Sequence, residues 1–221
     1  MSSILFGSIS TLADTSELQR RAFNEAFKTH GLDWEWSRDD YVAMLGSNGG
    51  AQRVADYAAA RGADVDADAV HATKSEIFRS LLAESDVAPR DGVVDTVERA
   101  QRDGHRLGLV TTTSSENVDA LLNALAAHVD RNAFDVVVDS SVVDEPKPAP
   151  ASYRYALDQL GEDASAAVAI EDNVGGVRAA ADAGIAVVAF PHQNTSDGDF
   201  SEATETVDAL DADRLVELTR S

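Results

Sequence analysis

The chain has 221 residues, 44% of them apolar, and a formal net charge of −21. That size suits one large domain or a core with an insert, and the acid excess disfavours nucleic-acid binding, which needs a basic face. The absence of cysteine excludes disulfides and thiol chemistry. No run approaches the roughly 18 apolar residues of a membrane helix, and no basic region precedes the first apolar run, so a cytoplasmic location without membrane association is expected. Lysine is scarce (Lys28, Lys74 and Lys147 only). Together with the charge this points to a halophilic protein, in which salt screens repulsion among surface carboxylates.

Residues 3–9 read as a buried strand of the parallel type, followed by the small-residue turn Gly7-Ser8-Ile9-Ser10-Thr11. No acid occurs before Asp14. The spacing predicts a helix over 16–30, with Leu18, Ala22, Phe23, Ala26 and Phe27 on one face. Gly31 stops it. Further helices are predicted at 38–45, 51–61 and 66–83, around the turn Gly46-Ser47-Asn48-Gly49-Gly50. Only helical signals occur between residue 15 and about residue 86.

After the breakers Pro89 and Gly92 the pattern changes. Helix 93–103, strand 106–112, helix 115–127, strand 134–138, helix 150–160, strand 166–171, helix 174–183 and strand 185–190 follow in turn. Short apolar strands alternating with ~10-residue helices predict βαβ units and a parallel sheet. The acidic tail carries one weak helix at 207–219. The expected fold is a three-layer α/β, Rossmann-like parallel sheet, formed by 1–14 and 87–221. An all-helical cap domain, 15–86, is inserted after the first strand.

Ligands of such sheets sit at the carboxyl ends of the strands. Four strand ends carry a coherent set: the loop Gly7 to Thr11, the hydroxyls Thr111-Thr112, Lys147 in a Pro-flanked turn, and the pair Glu171-Asp172. Adjacent carboxylates closing an apolar strand need a cation or donors to offset their burial. Hydroxyls, a fixed cation, a carboxylate pair and loop amides suit a phosphoryl group and a hard divalent cation such as Mg²⁺. The five histidines (His30, His71, His105, His128 and His192) show no metal-ligand spacing.

These segments resemble the haloacid dehalogenase superfamily of phosphohydrolases and phosphomutases, in the helical-cap branch of phosphoglycolate phosphatase-like and beta-phosphoglucomutase-like enzymes. L-G-L-V-T-T at 107–112 is similar to the second motif, K-P-A-P-A-S-Y from Lys147 to the third, and A-I-E-D-N-V-G-G-V-R at 169–178 to the fourth. The resemblance implies phosphate binding by Thr111 and Lys147, and metal binding by Glu171 and Asp172; Ser8 and Ser10 of the first loop and Thr112 are further candidates for the phosphate. The resemblance places substrate contacts of the cap at Arg20, Ser47, Arg53 and Lys74.

The first motif departs from the family's Asp-x-Asp-Gly-Thr. Gly7 stands at the nucleophile and Ile9 at the general acid/base. Glycine has no group to attack phosphorus, and isoleucine has no proton to exchange. A direct metal ligand is lost as well, which weakens an Mg²⁺ site. Without the metal, Lys147 is expected to pair with Asp172. Two readings follow. One is a protein inactive or very slow in the family reaction, a pseudoenzyme that binds a small phosphorylated or anionic ligand or a protein partner. The other is an active Mg²⁺-dependent phosphomonoester hydrolase with altered first-motif chemistry.

Overall fold

Six strands form one sheet in the order β3-β2-β1-β4-β5-β6, with every neighbouring pair parallel. They are β1 (Ser3–Phe6), β2 (Arg106–Val110), β3 (Val136–Val138), β4 (Ala167–Glu171), β5 (Ala186–Ala189) and β6 (Glu205–Thr206). The computed structural model describes residues 2–45 and 49–219. All four residues of β1 are buried, as in a central strand covered on both faces. Its register sets Phe6 beside Leu109 on one side and Ile170 on the other. Gly108 serves this pairing, because a Cβ there would press on Leu5 and Val136 of the flanking strands.

Helices α6 (Val93–Asp103), α7 (Ser115–Ala124), α8 (Ala151–Leu160), α9 (Val174–Asp182) and α10 (Ala212–Leu218) cover the sheet or follow it. Tyr153, Ala156 and Leu157 of α8 and Val177, Ala179 and Ala180 of α9 join Leu5, Val110 and Ala169 in one apolar cluster. α10 packs on α6, which lies against β2. α6 stops at Gly104, whose φ of 74° suits glycine.

The chain divides into two units, Met1–Asp14 with Val87–Ser221, and Thr15–Asp86. The second contains α2 (Ser16–Thr29), α3 (Arg38–Met44), α4 (Gly50–Ala60) and α5 (Ala67–Glu84), and no strand among its described residues. Phe23, Phe27, Trp36, Tyr41, Val54 and Val70 form its core. The Trp36 backbone is held by Asn24, which donates to its carbonyl (3.0 Å) and accepts from its amide (2.8 Å).

Two elements differ from the sequence expectation. The predicted first strand ends at Phe6, and Ile9–Leu12 instead turn into a short helix, α1, capped by Ser8. The Ser8 hydroxyl accepts from the amides of Ser10 (3.0 Å) and Thr11 (3.3 Å), and that local capping competes with strand continuation. β6 is the other: two polar residues, Glu205 and Thr206, extend the sheet by pairing with Val188 and Ala189.

Candidate functional site

Because β1, β2 and β4 run parallel and in register, Gly7, Thr111 and Glu171-Asp172 emerge at one end of the sheet. The turn before α8 brings Lys147 to the same place. Glu171 is fully buried and Lys147 is 8% exposed. The Lys147 ammonium donates to Glu171 Oε1 (2.6 Å), to the Val110 carbonyl (2.7 Å) and to the Gly7 carbonyl. Its three N–H bonds thus have three acceptors. The expected pairing of Lys147 with Asp172 is replaced by pairing with Glu171, because Glu171 turns into the space beside Gly7.

That space is the distinctive feature of the site. A Cβ at position 7 would fall on the Glu171 carboxylate and the Tyr153 hydroxyl, well inside contact distance. A Cβ on Gly176 would strike the same carboxylate from the other side. Glu171 therefore lies in a slot between two glycines, with Tyr153 donating to Oε1 at 2.7 Å. Oε2 is buried with no hydrogen-bond partner. Burial pushes the Glu171 carboxyl up, and the Lys147 charge only partly offsets this. Burial and the neighbouring carboxylate hold the Tyr153 phenol well above its ordinary value.

Asp172 has a different set of partners. Its Oδ1 accepts from Ser8 Oγ (2.6 Å) and Asn173 Nδ2 (3.1 Å). Its Oδ2 lies 3.3 Å from His192 Nε2. Burial acts to raise this carboxyl, but the bond and charge of His192 and the bonds from Ser8 and Asn173 outweigh it and hold it below the usual carboxylate range. Arg90 lies close by. It donates to the carbonyls of Ser10 (3.2 Å), Phe190 (2.7 Å) and Pro191 (2.7 Å), and its guanidinium stacks on Phe190 at 3.4 Å.

His192 and Arg90 escaped the sequence reading. The signal for His192 was faint: a histidine two residues past the last predicted strand, in the position to meet another strand's end.

The other expected phosphate contacts are close to this centre. Ser8 caps α1 and bonds Asp172, and Ser10 is buried behind it. Thr111 is 4% exposed, with its hydroxyl oxygen accepting from the Thr113 amide (3.2 Å), while Thr112 is exposed. Ile9 is buried and brings no ionisable group.

Mg²⁺ binds through hard oxygens with free lone pairs in near-octahedral array. Here both Asp172 oxygens and Glu171 Oε1 face protein donors, Glu171 Oε2 is shut against Gly176, and positions 7 and 9 offer no carboxylate. Among the described residues no group of three or more His, Asp or Glu side chains is arranged to hold a metal ion. This donor set does not fit the cation.

The helical unit holds the remaining candidates apart from Ser47, which lies outside the described residues. Arg20 bonds Glu17 (2.9 Å) and the Trp36 carbonyl (2.8 Å). Arg53 donates to the Met44 carbonyl (3.0 Å). Lys74 is 4% exposed, bonded to Gln19 Oε1 (3.0 Å) and 5.0 Å from the ring centres of Phe23 and Phe78. Burial, and then the Arg53 charge, bring Lys74 down to about 7. His71 beside them falls to about 4, through burial first and then the Lys74 and Arg53 charges.

No helix of the described residues is long and apolar enough to cross a membrane. The profile of the haloacid dehalogenase-like hydrolases matches residues 6–190. The protein CbbY of Cereibacter sphaeroides is 40% identical over 94% of this chain and 91% of its own length. The fructose-1-phosphate phosphatase YqaB of Escherichia coli is 32% identical over 84% and 94%. A crystal structure of a CbbY mutant from Rhodobacter sphaeroides in complex with xylulose-(1,5)bisphosphate superimposes with a TM-score of 0.88 at 40% identity, covering 95% of this chain and 94% of that one. CbbY in complex with phosphate gives the same TM-score at 39% identity, over 99% and 96%. With the fold, three motifs and near-complete coverage in agreement, this chain belongs to the haloacid dehalogenase-like hydrolase family.

Proposed function

We propose that this protein binds a small phosphorylated ligand of the sugar-phosphate class and does not carry out the family's phosphoryl transfer. The slot at Gly7 supports this reading most directly. A carboxylate at that position would attack phosphorus, and its place is filled by Glu171 and Tyr153. Glu171 is no substitute, because it is fully buried and fixed by Lys147 and Tyr153. Ile9 cannot protonate a leaving group.

In this reading the ligand's phosphate meets the hydroxyls of Thr111 and Thr112 and the turn that contains Ser8 and Ser10. Lys147 contributes positive charge at short range, since its hydrogens are engaged. Arg53 and Lys74 offer a basic pair within the helical unit, suited to an anionic group, and Ser47 and Arg20 belong to the same unit. A protein partner is the other use such a scaffold serves. The ligand class is suggested by the phosphate and xylulose-(1,5)bisphosphate held in the CbbY crystals.

The second reading, a working Mg²⁺-dependent phosphomonoesterase, draws on the likeness to YqaB. Calorimetry with inorganic phosphate, fructose 1-phosphate and xylulose 1,5-bisphosphate, run beside a phosphate-release assay with MgCl₂, separates the two. Heat of binding without phosphate release is expected. Sustained release establishes the second reading, and absence of any binding overturns the proposed ligand class.

A further inference from the structure

We infer that Ser8, Asn173 and His192 stand in for a divalent cation at Asp172, so that the strand-end centre is assembled and held by the chain itself. A carboxylate that is 4% exposed needs compensation for its charge, by a cation or by directed donors. Three side chains from separate places supply it. Ser8 donates from the end of β1 at 2.6 Å, Asn173 from the cap of α9 at 3.1 Å, and His192 approaches from beyond β5 at 3.3 Å.

The histidine is oriented for this task. Its Nδ1 accepts from the Asn194 amide at 3.2 Å, which leaves Nε2 as the nitrogen that carries hydrogen toward Asp172. Arg90 adds positive charge nearby, while Glu171 and Asp14 are the opposing carboxylates, Asp14 at 3.8 Å from Nδ1. Oδ1 then has two donors and Oδ2 faces the His192 ring at 3.3 Å, so a cation would have to displace Ser8 and His192 to take both oxygens. His192 acts here as a positioning residue for Asp172. This holds whether or not a phosphorylated ligand binds, and the two are tested with different probes.

Mn²⁺ is the probe for the cation site. Free Mn²⁺ is followed by electron paramagnetic resonance while the full chain and its Asp172→Asn variant are titrated. The acidic surface takes up Mn²⁺ in both, and superimposable curves are expected. A tight site present in the unaltered chain and lost in Asp172→Asn overturns the inference. In parallel, the ring nitrogens of His192 are observed by ¹H–¹⁵N NMR in the unaltered chain. The Nε2–H pattern is expected to stay sharp and unshifted with MgCl₂ or substoichiometric Mn²⁺. Selective broadening or a shift overturns it. His192→Ala is expected to lower the unfolding midpoint by a few degrees, and His192→Gln, which keeps a terminal N–H donor, to recover most of that loss. An unchanged midpoint in His192→Ala removes His192 from the assignment.

Discussion

The ammonium of Lys147 and the carboxylate of Glu171 meet at 2.6 Å where almost no solvent reaches either. A buried pair of this kind is sensitive to removal of one member, because the survivor is left charged and unpaired. Lys147→Met is expected to lower stability by about 3–5 kcal/mol. Lys147→Met with Glu171→Gln should cost less than the sum of the single changes. Denaturant unfolding of the four proteins in a double-mutant cycle measures the coupling. Additive losses would show that the two side chains act separately.

Gly7→Ala should destabilise the protein by about 1–3 kcal/mol, the range of an overpacked core. The methyl meets the Glu171 carboxylate and the Tyr153 hydroxyl, and neither can move without losing a buried hydrogen bond. Tyr153→Phe should soften the effect of Gly7→Ala, since it removes one of the colliding atoms. Thermal unfolding of the single and double variants decides this, and a neutral Gly7→Ala would mean the slot is wider than described.

Arg90→Lys is expected to behave like Arg90→Ala, with both losing about 2–4 kcal/mol. A single ammonium cannot reach the Ser10, Phe190 and Pro191 carbonyls together, and it loses the planar stacking on Phe190. Full stability in Arg90→Lys would reduce the role of Arg90 to its charge.

Lys74 brings a pH dependence to the helical unit. Its folded value is about 7, below the ordinary 10.5. Between these values the unfolded chain binds the proton and the folded one does not, so stability rises with pH across that window. Lys74→Met should remove this slope and stabilise the protein at pH 6, where the burial of a charge is relieved. Unfolding curves of both proteins from pH 6 to pH 10 provide the comparison.

Salt should stabilise the unaltered chain. At a net charge of −21, raising KCl from about 0.1 M toward 2 M shortens the range of carboxylate repulsion. The unfolding midpoint is expected to climb by several degrees, and a falling midpoint would separate the acid excess from salt adaptation.

Much of the fold was legible because the strands are continuous apolar runs between Gly and Pro punctuation. β2, β4 and β5 lie within their predicted spans, and α6 matches at both ends. The grouping of Thr111, Lys147, Glu171 and Asp172 was legible, since the parallel register brings them to one end of the sheet. Their pairing was not. Lys147 chose Glu171 over Asp172 because of a space created by Gly7, and an empty space leaves no mark in a sequence. His192 was hidden for a related reason, since its partner Asp172 lies far back along the chain, just past the end of β4. α1 was missed because Ser8 was read as part of a small-residue turn and as a phosphate contact, when its hydroxyl closes a helical turn.

The paired glycines at 7 and 176 also constrain how this sequence can change. Each is held in place by the same carboxylate, so a side chain at either position meets an occupied volume. An acid cannot enter position 7 by one substitution without displacing Glu171, and a shorter residue at 171 would leave the buried Lys147 charge with only the Gly7 and Val110 carbonyls. Placing a carboxylate at the end of β1 therefore requires concerted replacements at 7 and 171. The slot thus ties positions 7, 171 and 176 into one unit of sequence change.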